Sequence, residues 1–208
     1  MASFIWEREV KEAYLNPYEY DAQDQFIREA NKFLGLISEE LLDEKYVYYR
    51  DEKTLEKAIY MLHLDSIDSL RDSLELLGLK KHRMASRILR DVLENNLLCN
   101  YFYFDKSVEA KKNLAKWYEN DVISNSICRN SIKDRLGENV RKSYAKYYSD
   151  LSKITHRTYR TLAYGYILGK DNKLVYEGLL SEGFLVTPNV ISMYLVVLAS
   201  LIKDTASE

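Results

Sequence analysis

"TLEKAIYMLHLDSIDSLRDSLELLG", residues 54–78, contains no proline, and its single glycine is the last residue. Two stripes run along it at three- and four-residue spacing. Tyr60, Leu64, Ile67, Leu70, Leu74 and Leu77 form one; Leu55, Ile59, Leu62, Ser66, Ser69 and Ser73 form the other. That period belongs to an α-helix. The second stripe ends in three serines, which let a neighbouring backbone come close. A helix apolar on one face and small on another sits between partners, so this stretch predicts a bundle with helices on both sides of it. Asp51 or Thr54 is the expected N-cap and Gly78 the expected stop.

Working outward, Phe26, Ile27, Ala30, Phe33, Leu34, Ile37, Leu41 and Leu42 predict an earlier helix over about 20–43, separated by the polar break "DEKYVYYRDEKT". On the other side "HRMASRILRDVLENNLLCNYFYF" predicts a helix over 82–104, and a short one follows over 107–119. Residues around Asn120, Asp121, Asn125 and Asn130 read as a polar stretch. A further helix is expected over 139–168. The segment "LGKDNKLVYEGLLSEGFLVTP", 168–188, reads as one long loop before a terminal helix over 189–203. The expected fold is therefore all-α: one domain over 1–208, an antiparallel bundle of about six helices with one long loop before the last.

Composition agrees. Glycine (7) and proline (2) are scarce in 208 residues, leaving little material for hairpins, whereas 18 tyrosines suit half-buried helix seams. Cys99 and Cys128 form neither a metal spacing nor a disulfide framework. The opening "MASFIWEREVKEAYL" lacks a signal-peptide core, and the longest apolar run, 190–202, falls short of the roughly 20 residues a bilayer requires. A cytoplasmic protein without a membrane partner is the expectation. Net charge is −2 but unevenly spread: residues 1–78 carry 18 acids and 9 bases, residues 79–160 the reverse. Such asymmetry points either to a polyanion surface or to acidic and basic helices packed together, within one chain or across a homodimer.

Several constellations carry possible chemistry. In "YYSDLSKITHRTYRTLAYGY", 147–166, Ser152 and His156 are one helical turn apart. They read as a catalytic or ligand-binding pair, or as a polar contact that fixes register. A mid-helix serine has neither oxyanion hole nor sharp turn, which argues against a hydrolase. Arg90 and Glu94, like Arg87 and Asp91, are i, i+4 pairs, either solvated or turned inward toward His156. His63, His82 and His156 are far apart and no phosphate-binding glycine motif is present, so neither metal nor cofactor is expected. For nucleic acid the candidates are Lys80, Lys81, Arg83, Arg141, Lys142, Arg157 and Arg160, interleaved with Tyr144, Tyr147, Tyr148 and Tyr159.

"RILRDVLENNLLCNYFYFD", "KKNLAKWYEND" and "YAKYYSDLSKITHRTYRTLAYGY" together resemble an uncharacterised bacterial all-helical family with an Arg-x-x-x-Glu motif on one helix and Tyr…Leu-Ser-x-x-x-His on a later one. The likeness spans about 55–168. It maps onto Arg90 and Glu94, then Tyr148, Leu151, Ser152 and His156, and implies that Arg90, Glu94, Ser152 and His156 converge inside the bundle. The chain also resembles HEPN-type helical bundles, but none of its histidines has the arginine that their ribonuclease signature places upstream. Two functions are thereby implied. One is an interaction or sensing module in phage defence or a toxin–antitoxin pair, with a protein partner. The other is an RNA-binding or RNA-cleaving enzyme using His156 as acid/base with Arg157, Arg160 or Arg90 on phosphate.

Overall fold

The computed structural model describes residues 19–42, 46–79, 81–156, 158–159, 162, 166–168, 174–176 and 203. Within them the fold is all-α, with six helices: α1 (Glu19–Leu41), α2 (Leu55–Gly78), α3 (His82–Phe104), α4 (Val108–Tyr118), α5 (Asn125–Leu136) and α6 (Glu138–Thr155). A small antiparallel ribbon follows, β1 (Tyr166–Leu168) and β2 (Leu174–Tyr176), with Tyr166 opposite Tyr176.

Local chemistry sets the boundaries of α2. Thr54 takes an extended conformation and its hydroxyl accepts from the Lys57 N–H at 3.3 Å, satisfying one of the orphan donors of the first turn. The Lys57 ammonium donates to the carbonyls of Tyr49, Arg50 and Glu52 at 2.6–2.9 Å, so the segment before the helix folds back over its first turn. At the far end the N–H groups of Leu79 and Lys81 bond back to Glu75 and Leu76, turning the chain within three residues into α3.

That short turn makes α2 and α3 an antiparallel hairpin. Asn95 donates to Asp65 across it at 2.7 Å, each residue standing thirteen from its own end of the turn. Both predicted stripes of α2 are used: Ile67, Leu70, Leu74 and Leu77 are buried, and so are Leu62, Ser66 and Ser73. α1 packs on α2, chiefly through Ala30 and Leu34, and α3 packs on α2 and on α4, α5 and α6. Ala85, Leu89, Val92, Leu93 and Leu97 on α3 are at most 1% exposed. Each large apolar side chain there contributes on the order of 1.5–3 kcal/mol of burial. α3 is the axis of the fold.

Polar bonds tie α4 to both long helices. Asn113 on α4 donates to the buried Tyr101 hydroxyl at 2.8 Å, and the Tyr118 hydroxyl donates to the Thr54 carbonyl at 2.7 Å. α5 and α6 are joined through Gly137, whose φ of +89° and ψ of 167° suit glycine alone.

Two expectations need correction. The stretch read only as polar around Asn125 and Asn130, with no helix expected there, is helix α5, because Cys128 and Ile132 supply a one-turn apolar pair that α3 and α6 bury. The helix expected over 139–168 stops at Thr155, and strands β1 and β2 flank what was read as the start of one long loop. "YIL" and "LVY" carry the β-branched and aromatic residues that favour strands, and the turn-prone "GKDN" lies between them. The expected terminal helix over 189–203 lies outside the described residues, apart from Lys203, which is helical.

Ser66 and Ser73 are fully buried and, among the described residues, their hydroxyls have no hydrogen-bond partner. Their value is small size, not polarity. Ser73→Ala is expected to be neutral or stabilising by up to about 1 kcal/mol, whereas Ser73→Leu is expected to cost about 1–3 kcal/mol by forcing the helices apart. Urea midpoints at unchanged m-value measure both; a Ser73→Leu variant as stable as wild type would contradict the close approach.

Candidate functional site

Arg90 and Glu94 do meet, one turn apart on α3, with Arg90 Nε donating to Glu94 at 3.0 Å. The pair is only partly open, its side chains 22% and 35% exposed. Arg90 Nη2 also donates to the Tyr148 hydroxyl on α6 at 2.8 Å. Burial works to lower the Arg90 pKa, but the hydrogen bond and charge of Glu94, and then Tyr148, outweigh it and hold it above the ordinary value. Arg129 on α5 completes the group: its guanidinium carbon lies 4.8 Å from the Tyr148 ring centre, and that of Arg90 lies at 4.9 Å. One tyrosine thus receives cations from two helices and joins α3, α5 and α6.

This cluster is mostly satisfied. Glu94 and Tyr148 take two of the Arg90 donors, whereas among the described residues Arg129 Nη1 and Asn125 Oδ1, one turn apart on α5, are buried without a hydrogen-bond partner. Cys128 lies in the same neighbourhood. Burial pushes its thiol up to about 12, with Glu94 reinforcing the effect and Arg129 opposing it. A thiol so poor in thiolate is not a nucleophile. The geometry is that of a structural joint.

Ser152 and His156 do not join it. His156 stands exposed at the C-terminal end of α6, its backbone N–H bonded to the Ser152 carbonyl at 3.0 Å, and Ser152 is half-buried. Among the described residues neither side chain bonds to Arg90 or Glu94. Tyr144, Tyr147 and Tyr148 pack against the core with buried Leu151 between α6 and the axis, but Tyr159 is 81% exposed. No convergent acid, base and nucleophile results among the described residues, nor do three or more His, Cys, Asp or Glu side chains gather as metal ligands there.

The nucleic-acid candidates divide. Lys81 and Lys142 are exposed. Arg141 is clamped by Glu138 through Nε at 2.9 Å and Nη2 at 2.6 Å, a bond that holds the Glu138 carboxyl below its ordinary range. Arg83 is in the first turn of α3; Lys80, Arg157 and Arg160 lie outside the described residues. Sequence reading missed others. Lys111, Lys112 and Lys116 on α4, Lys133 and Arg135 on α5, and Lys146 and Lys153 on α6 are all exposed. Lys142, Lys146 and Lys153 share one face of α6 at i, i+4 and i+11.

Their placement shows how the charge asymmetry is laid out within one chain. α1, with six acids to two bases, packs on α2, and α2 on one side of α3; the basic helices α5 and α6 pack on α3 and on each other. The acidic pair of helices does not blanket the basic ones. Lys53 from the acidic third bonds Glu119 from the basic third, a contact with the signs reversed.

A cleft of about 380 Å³ opens on the basic side, between the end of α3 and the second half of α5, and includes Asn100, Phe104, Ser131 and Arg135. No helix among the described residues is long and apolar enough to cross a membrane. Comparison of the chain with protein-family models, curated proteins and solved structures finds no match.

Two outcomes follow from the joint. Tyr148→Phe keeps the ring and loses the Arg90 bond, an expected cost of about 1 kcal/mol, while Tyr148→Ala is expected to cost about 3 kcal/mol or more, read by denaturant unfolding. Native Cys128 keeps its proton until about pH 12, but the unfolded thiol ionises near its ordinary value of 9.0. The unfolded state therefore binds fewer protons above that value, and stability falls as pH rises from about 9 toward 12. Wild type is expected to lose more stability over this window than Cys128→Ala; parallel curves would contradict the burial.

Proposed function

We propose that this chain is a non-catalytic interaction module that engages single-stranded RNA through the basic side formed by α4, α5 and α6. The observation carrying the reading is the exposed basic face of α5 and α6, with Lys142 and Lys146 beside Lys133 and Lys153, which pair with Glu138 and Asp150; α3 separates it from the acidic α1. Had the acidic helices packed over these lysines, the asymmetry would be internal charge pairing. Exposed like charges repel one another, and a polyanion relieves that repulsion by releasing condensed counterions. Half-exposed Tyr103 and Phe104 beside Lys106 and Arg135 add ring faces on which unpaired bases stack.

A catalytic RNA reading is weaker. His156 is exposed and, among the described residues, its ring has no bonded partner to orient it, and in-line cleavage needs an acid and a base held across one phosphate. A role in phage defence or a toxin–antitoxin pair is part of the proposal and rests on the helical-bundle resemblance alone.

Fluorescence anisotropy with a labelled single-stranded RNA tests the reading. Binding at 50 mM salt is expected to weaken steeply by 200 mM, and the double variant Lys142→Glu/Lys146→Glu to lose about tenfold or more. Lys32→Glu on α1 is expected to change little. An absence of binding at low salt, with capture of an acidic protein instead, would replace RNA by a protein partner.

A further inference from the structure

We propose that the cleft between the end of α3 and α5 holds one unpaired base of the bound strand, a base bearing an exocyclic amino group. This deepens the RNA reading and rests on it.

The cleft has a flat wall. Phe104, 47% exposed, has the Arg135 guanidinium carbon 3.5 Å from its ring centre, and the ring of Tyr103 meets it edge-on at 4.7 Å. Arg135 is held in place by donating to Asn100, and Lys106 is held over the Tyr103 ring at 5.0 Å. A guanidinium laid on an aromatic ring is a planar surface of the kind on which nucleobases stack, and the half-open ring remains to be covered. The volume, about 380 Å³, lies in the range of small-ligand sites.

Charge then narrows the occupant. Asp105, Asp134, Lys106 and Arg135 line the cleft and sum to zero, so it suits an uncharged heterocycle better than a free anion. The two carboxylates differ. Asp105 accepts from the Ser107 N–H at 2.9 Å and from the Ser107 and Ser131 side chains, bonds that hold its carboxyl below the ordinary range; it is committed to the start of α4. Asp134 is exposed and, among the described residues, has no hydrogen bond or ion pair. A free carboxylate at the edge of a stacking surface accepts from the amino group of cytosine, adenine or guanine. Uracil offers the carboxylate only its N3–H, set between two carbonyls that repel it, and is held less well. Lys106 at the cleft edge supplies a cation for a neighbouring phosphate.

The test uses the full chain and labelled 12-mers of cytidine, adenosine and uridine, together with a duplex RNA of equal length, at one fixed salt concentration. Wild type is expected to prefer the cytidine and adenosine strands over uridine by about 5–10-fold. Phe104→Ala is expected to weaken those two strands about tenfold, as loss of one stacked base does, and to leave the duplex within about twofold. Phe104→Leu keeps the volume and loses the ring, and should do the same if Phe104→Ala folds poorly. Asp134→Asn, able to donate as well as accept, is expected to erase the discrimination against uridine. Equal binding of all three strands, insensitive to Phe104, would overturn the base site and leave the RNA reading standing. Failure of wild type to bind any RNA would overturn both.

Discussion

Everything in this fold depends on α3 being covered on nearly every side. Leu89, Val92, Leu93 and Leu97 are at most 1% exposed, and the same helix buries Asn96, Ser86 and Tyr101. A single neighbour cannot shield so broad a surface. α2 covers one side through a three-residue turn, with Ser66 and Ser73 keeping the contact close, and α4, α5 and α6 cover the rest. The separation of charge is a consequence. Because α1 and α2 are acidic and α5 and α6 basic, surrounding one apolar axis with all of them puts opposite charges on different sides of it.

The Arg90–Glu94–Tyr148–Arg129 group is where the covering is fixed rather than merely favourable. Apolar packing tolerates small slips, but a guanidinium bonded at 3.0 Å to a carboxylate and at 2.8 Å to a phenol does not. The second arginine against the same ring brings α5 into the arrangement. Half-buried ion pairs of this kind add little net stability, since desolvation offsets much of the attraction. Their effect here is positional, holding the two basic helices at a set angle to the axis and so shaping the lysine face.

How much of this was legible in the sequence depends on the signal each element carries. α2 and α3 were readable nearly to the residue because long apolar stripes and the Thr54 cap are local features. The Arg90–Glu94 contact was readable for the same reason, being one turn of one helix. α5 was not, because only Cys128 and Ile132 of its residues are buried, Ile127 and Leu136 are exposed and the rest are polar, so its helicity comes from α3 and α6. Missing α5 meant missing Arg129, although the Cys128–Ile132 spacing, followed by Gly137, was the available clue. The end of α6 at Thr155 was likewise hidden: Tyr159 and Leu162 beyond it are helical again, the Leu162 N–H bonding to the Thr158 carbonyl at 3.0 Å, so the helical spacing runs on past the break and gives no local sign that His156 falls on an exposed end instead of a seam. Which side of the axis each charged helix occupies is a tertiary property that no local pattern encodes.

Amide hydrogen exchange of the full chain with and without single-stranded RNA addresses the central claim most directly, because it reads the location of contact without depending on any substitution. Slowed exchange is expected from the end of α3 through α5 and α6, around residues 104–106 and 129–153, with α1 unchanged. Protection centred on α1 and α2, or none anywhere at an RNA concentration that saturates binding, would contradict it.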